Sequence, residues 1–163
     1  MSFKPSDLIE RALCAAKERG KPFRVLLTEG DDKRVVSAAN EIVRLGFGEV
    51  VILTKKDCGE IRSGVTPINW LESDLMEGFV SAYLDRNKGK GITEKAAKSA
   101  VSERLYFGGC FLQAGLADVA VSGACTPTAE VFRAGIRCIG PEPGVGSVSS
   151  MFLMLLKDGR ALT

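Results

Sequence analysis

The amino-acid sequence predicts an α/β domain built on a mostly parallel sheet with helices on both faces. Three observations carry this expectation. Short strands alternate with amphipathic helices, the strands are apolar almost without interruption, and the stretch from Phe23 to Leu53 fits a strand, a helix and a second strand into about thirty residues. At 163 residues the chain has the size of one ordinary domain and can bury a sizeable core.

The elements follow in order. Ser6 to Arg19 spaces Leu8, Ile9, Ala12, Leu13 and Ala16 for one helical face and stops at Gly20. Phe23 to Leu27 is a buried strand. Asp31 and Asp32 open a helix whose Val35, Val36, Ala39, Ile42 and Val43 share a face; Gly46 ends it, and Glu49 to Leu53 is the next strand. Thr54 to Gly64 reads as a polar surface loop and Val65 to Asn69 as a short strand. Ser73 to Leu84 is a helix, Asp85 to Gly91 a basic, glycine-rich loop, and Thr93 caps the helix that follows. Glu103 to Ala114 is helical up to Gly115, Asp118 to Ser122 is a strand, and Thr128 to Arg137 a helix. Cys138-Ile139 is expected as a short strand. The loop from Gly140 to Ser147 is no dinucleotide fingerprint, because a strand and not a helix is expected after it. Val148 to Leu156 reads as a long apolar strand, and Asp158-Gly159 suits a type I′ hairpin into Ala161 to Thr163.

Composition excludes several classes. The chain is 45% apolar and 26% charged with a formal charge of +2, so nothing asks for a nucleic-acid partner. No window approaches the roughly 18 apolar residues of a membrane span, and Met1 to Asp7 lacks a signal-peptide core, which predicts a cytoplasmic protein. Five cysteines without a C-x-x-C pair argue against a disulfide framework and a thiolate metal cage. Cys14 and Cys110 are expected in the core, and Cys125, beside a helix N-terminus, is placed where a thiol pKa is lowered. With no histidine in the sequence, Ser-His and Cys-His mechanisms and His-ligated metals are excluded for the isolated chain.

The most informative segment runs from Ala117 to Arg133. A buried strand ends in a small-residue turn and opens a helix, whose first N–H groups, with the hydroxyls of Ser122, Thr126 and Thr128 and the guanidinium of Arg133, form a phosphate-shaped place. The same residues also read as an ordinary cap, with Ser122 or Thr126 as N-cap and Arg133 solvated.

Tyr106-Phe107-Gly108, Ala114 to Asp118, Val121-Ser122-Gly123-Ala124, Thr128-Ala129-Glu130, Arg133, Pro143-Gly144-Val145, Val148-Ser149-Ser150 and Met151 to Met154 together resemble the phosphate acyltransferases, the family of phosphate acetyl- and butyryltransferases. Arg24 to Val35 resembles the same family's opening strand and acidic turn, with Thr28-Glu29-Gly30 where Pro-Glu-Gly is usual. The resemblance implies acyl transfer between coenzyme A and inorganic phosphate, giving acetyl phosphate from acetyl-coenzyme A. It also implies a three-layer αβα fold like that of isopropylmalate and isocitrate dehydrogenases. This chain would be the first of two domains, 1–163, with 148–163 as exit strand and hairpin. The family is about twice as long, and its catalytic aspartate, serine and arginine lie in the C-terminal half, so no catalytic residue is assigned here.

The phosphate or acyl phosphate set implied is Ser122, Thr126, Thr128, Arg133 and Arg86. Arg86 corresponds to the arginine of an Arg-x-x-Lys-Gly motif only if one extra residue precedes the glycine; alternatively Asn87-Lys88-Gly89 aligns and Arg86 falls one place late. Thr126-Pro127-Thr128 replaces a His-Thr-Thr run, and Ala134 a proline. Expected ligands are phosphate and coenzyme A or acetyl-coenzyme A as substrates, with no resident cofactor or metal. Expected partners are a C-terminal half or a second copy, since an open apolar strand at Val148 to Leu156 would template self-association. The alternative function is a non-catalytic phosphate-binding or oligomerisation module of the same descent.

Overall fold

A computed structural model describes residues 5–148, 150, 154–156 and 161–162. Strands β1 (Phe23–Leu27), β2 (Gly48–Leu53), β3 (Val65–Ile68) and β4 (Val119–Val121) form an all-parallel sheet in the order β3-β2-β1-β4. Pro67 lies in β3, an edge strand, where its missing N–H is tolerated.

Strand alternation divides the core into two layers. Val25, Leu27, Val50, Ile52 and Val65 face α2 (Lys33–Leu45), and Cys58 and Ile61 of the loop after β2 complete that side. Leu26 and Leu53 face the other way, onto α3 (Met76–Arg86), α4 (Glu94–Val101) and α5 (Arg104–Gln113). There Phe79 meets the edges of Phe107 and Phe111 with ring centroids 5.0 and 6.3 Å apart. α6 (Thr128–Cys138) packs on α5. The expected three-layer arrangement is therefore present, each wholly buried Leu or Phe contributing about 1.5–3 kcal/mol.

The caps follow the sequence. Asp32 accepts from Arg34 N–H at the start of α2, and Gly46 ends that helix in the left-handed region at φ +78°. Thr93 accepts from Ala96 N–H at the start of α4.

Four expectations change. The strand that ends at Ser122 is not buried: Val119 and Val121 of the edge strand β4 are exposed. Cys138 and Ile139 are not a strand: Cys138 is the last residue of α6, buried against Gly109 of α5, and Ile139 is the C-cap. An apolar pair at a buried helix end has the same pattern as a short buried strand. Within Val148 to Leu156, only β5 (Met154–Leu155) is a strand among the described residues, pairing antiparallel with β6 (Ala161–Leu162) in a separate two-stranded sheet. The Asp158-Gly159 turn lies outside the described residues. Cys14 is exposed, not core, because α1 (Pro5–Arg19) is anchored chiefly at its C-terminal end: Ala16 is buried, Arg19 pairs with Asp118 at 2.7 Å and sits 4.9 Å over Phe23, while Leu8 and Ile9 face solvent.

Candidate functional site

The chain leaves β1 towards α2 on one face of the sheet and leaves β4 towards α6 on the other. The crevice between the carboxyl ends of β1 and β4 is thus the topological switch point, where open α/β sheets bind ligands.

Two side chains from the end of β1 tie that crevice together. Thr28 Oγ1 lies 2.7 Å from Ser122 Oγ. Glu29, only 2% exposed, turns its carboxylate into the turn after β4 and accepts from the N–H groups of Gly123 (2.9 Å), Ala124 (2.6 Å) and Cys125 (2.9 Å) and from the Thr126 hydroxyl (2.8 Å). Gly123 adopts φ +104°, a conformation open to glycine that helps successive N–H groups converge on one anion. Burial pushes the Glu29 carboxyl up, but the Thr126 hydroxyl and the three backbone donors outweigh it and hold the group below its ordinary range.

The turn after β1 sits close to its neighbours because glycine leaves room. A Cβ on Gly30 would lie 2.9 Å from the Leu53 carbonyl oxygen, and one on Gly108 would lie 2.8 Å from Thr28 Cγ2. Gly108 thereby lets α5 press against the residue that meets Ser122.

The two aspartates of the turn reach elsewhere. Asp31 accepts from Thr54 Oγ1 (2.8 Å) and Lys55 N–H (3.1 Å) and meets Arg104 at 3.4 Å. Asp32, besides capping α2, pairs with Arg34 and accepts from Cys125 Sγ at 3.0 Å. That contact reverses the expectation for Cys125: the hydrogen bond to Asp32, with burial and the carboxylate's charge, pushes the thiol pKa up.

The five predicted residues occupy three places. Ser122 and Thr128 stand at the polar end of a groove of about 400 Å³ that continues along α6 past Val131, Phe132 and Ile136. Thr126 and Arg133 line a second cavity, about 290 Å³, with Arg104, Tyr106, Glu103 and Glu130. Arg86, the last residue of α3, lies against Gly140 beyond the C-terminal end of α6 and lines neither cavity; α6 is roughly 16 Å long at 1.5 Å per residue.

Neither Ser122 nor Thr126 is the helix cap. That position is Pro127, without a side-chain cap bond. Glu29 engages the N–H groups of Gly123, Ala124 and Cys125 in the turn; these precede the first N–H groups of α6, which begins at Thr128. Arg133 enters none of the ion pairs formed among the described residues.

Sequence reasoning missed Glu29 as the clamp, and with it Thr28 and Arg104. The available signal was the Thr28-Glu29-Gly30 match itself. Among the described residues no group of three or more Cys, Asp or Glu is arranged for a metal ion, and no helix is long and apolar enough to cross a membrane.

Comparison with known proteins places this geometry. Residues 8–163 match the pattern of the family described as phosphate acetyl/butaryl transferase. The phosphate acetyltransferase of Clostridium acetobutylicum is 31% identical over 160 residues, which cover 93% of this chain and 47% of that protein. The phosphate acetyltransferase of Nitratidesulfovibrio vulgaris is 33% identical over 160 residues, 93% of this chain and 22% of that protein. Among solved structures, the EutD phosphotransacetylase from Staphylococcus aureus superposes with a TM-score of 0.74 at 29% identity, covering 92% of this chain and 48% of that one. The chain thus spans about half the length of the Clostridium relative and of the solved structure, and about a fifth of the Nitratidesulfovibrio protein. With a match that runs over nearly its whole length, the chain belongs to the phosphate acetyl/butaryl transferase family.

Proposed function

We propose that this chain supplies the phosphate-binding half of an acyltransferase that moves an acetyl group between coenzyme A and inorganic phosphate. In the direction of acetyl phosphate, a phosphate oxygen attacks the thioester carbonyl, a C–O bond forms, the C–S bond breaks, and coenzyme A leaves as the thiolate. That chemistry needs a seat for the dianion, donors for the developing oxyanion, and a proton relay for the thiol.

The observation that carries the reading is the clamped turn at the switch point, with Arg133, which enters no ion pair among the described residues, beside it. The phosphoryl group sits against Arg133, with Arg104 as a second cation and Thr126 held in place by Glu29. The acyl end lies towards Ser122 and Thr128. Thr28 is buried and shares a hydrogen bond with the half-buried Ser122 hydroxyl, which fixes the Ser122 side chain at the acyl end of the seat. Arg86, at the far end of α6, is left out of this seat.

The base and much of the coenzyme A surface come from a second half of the kind that relatives of twice this length carry. Glu29, Asp31, Asp32 and Asp118 do not serve as base, since each is engaged by donors that lower its pKa. No resident cofactor or metal is invoked. Five free thiols support a reducing, cytoplasmic setting.

Titration calorimetry of inorganic phosphate into the chain tests the seat. Arg133→Ala should weaken binding by about 1.5–3 kcal/mol, the range for a charge-assisted contact. Unchanged affinity would remove Arg133 from the site.

A further inference from the structure

Arg104 is the first residue of α5, and Glu103 before it makes no side-chain cap bond. A cation at a helix N-terminus stands against the macrodipole, so local helix energetics disfavour it there. Two side chains from other elements hold it in place. Asp31, in the turn after β1, pairs with Arg104 Nη1 at 3.4 Å and is itself fixed by the Thr54 hydroxyl and the Lys55 N–H. The contact through Nη1 orients the guanidinium fork without exhausting its donors. Trp70, two residues beyond β3, is 4% exposed and offers its ring to the Arg104 guanidinium at 6.0 Å and to Lys55 Nζ at 4.7 Å. Its Nε1 donates to the Ser102 carbonyl at 2.9 Å, which pins the indole to the junction of α4 and α5, two residues before Arg104.

We infer that Asp31 and Trp70 are positioning residues that hold Arg104 in the lining of the cavity it shares with Thr126 and Arg133, so that two guanidinium groups meet one phosphate there. This rests on the reading of that cavity as the phosphate seat, and adds how its second cation is set. A guanidinium oriented in advance loses less rotamer freedom when an anion arrives. Two of them around one cavity suit the doubly charged phosphate better than a singly charged anion.

Titration calorimetry of inorganic phosphate into the chain, compared across variants, is the test. Arg104→Ala is expected to weaken binding about tenfold or more, as for the loss of a charge-assisted contact. Asp31→Asn and Trp70→Leu should weaken it several-fold, and Trp70→Phe, which keeps an aromatic face, should recover most of what Trp70→Leu loses. Trp70 is the single tryptophan of the chain, so its emission reports on the guanidinium beside it. Phosphate should change that emission in step with calorimetric saturation in the wild type, and not in Arg104→Ala. Wild-type affinity in Arg104→Ala, or in both Asp31→Asn and Trp70→Leu, overturns the proposal. Emission that phosphate leaves unchanged in the wild type, or changes equally in Arg104→Ala, overturns it too. Should Trp70→Leu fail to fold by circular dichroism, Asp31→Asn and the emission decide. Weakening by Arg133→Ala with none by Arg104→Ala overturns the positioning alone, whereas a wild type that binds no phosphate, or binding indifferent to Arg133, overturns the seat as well.

Discussion

Replacing Glu29 by glutamine preserves the shape of a buried side chain and removes the charge on which four donors converge. The amide can accept, but its NH₂ faces N–H groups that lose their partner, so Glu29→Gln should cost about 2–3 kcal/mol in urea unfolding. The sign of the pH dependence follows from a folded pKa held below the unfolded one. The Glu29 contribution is complete above about pH 4.3, the ordinary value for glutamate, and is lost as pH falls through the lowered folded value. The variant should therefore lose less stability than the wild type between pH 5 and acid; an unchanged acid limb would assign that limb to Asp118 and Asp32, which are lowered as well. Cys125 gives a second test at this scale. With Asp32 raising its pKa, the thiol should alkylate slowly at pH 7.5 although it is exposed, and Asp32→Asn, which still caps α2, should speed the reaction several-fold. None of this was legible locally. Glu29 and its four donors lie 94 to 97 residues apart, and a carboxylate in a turn has no periodicity that announces a distant partner.

At the scale of elements, the helices and strands up to α6 were legible because their apolar periods and glycine or aspartate boundaries agree. The failures are at places where one pattern serves two structures: Cys138-Ile139 ends a buried helix, and the apolar run from Val148 contains only the two-residue β5 as described strand. Legibility also stopped short of why α5 carries Gly108-Gly109. A Cβ at these positions would lie 2.8 Å from Thr28 Cγ2 and 2.7 Å from Cys138 Cβ, so the pair sets the approach of α5 to β1 on one side and to α6 on the other. Gly108→Ala and Gly109→Ala should each destabilise by about 1–2 kcal/mol, overpacking outweighing the gain in helix propensity. Gly78→Ala in α3, where a Cβ meets nothing within 4 Å, should be neutral or stabilising by up to about 1 kcal/mol. Thermal unfolding of the three variants separates the two effects.

For the whole molecule, the sequence resemblance reached the fold and the family, and the structure shows what a resemblance cannot. Three N–H groups of the turn before α6 are already engaged by Glu29, and the predicted site residues divide between two cavities, with Arg86 against Gly140 at the far end of the first. These features fit a chain that binds phosphate and takes its base from elsewhere. Positioned general-base catalysis alone is worth about 10²–10⁴ in rate, so the chain by itself should release coenzyme A from acetyl-coenzyme A at close to the background rate. Phosphate-dependent coenzyme A release, assayed for the chain alone and for the chain co-expressed with the unmatched half of the Clostridium acetobutylicum relative, therefore decides whether this chain supplies the phosphate-binding half. Activity is expected only in the combined preparation, lost with Arg133→Ala in this chain; full turnover by the chain alone, or combined activity indifferent to Arg133, would rule that role out.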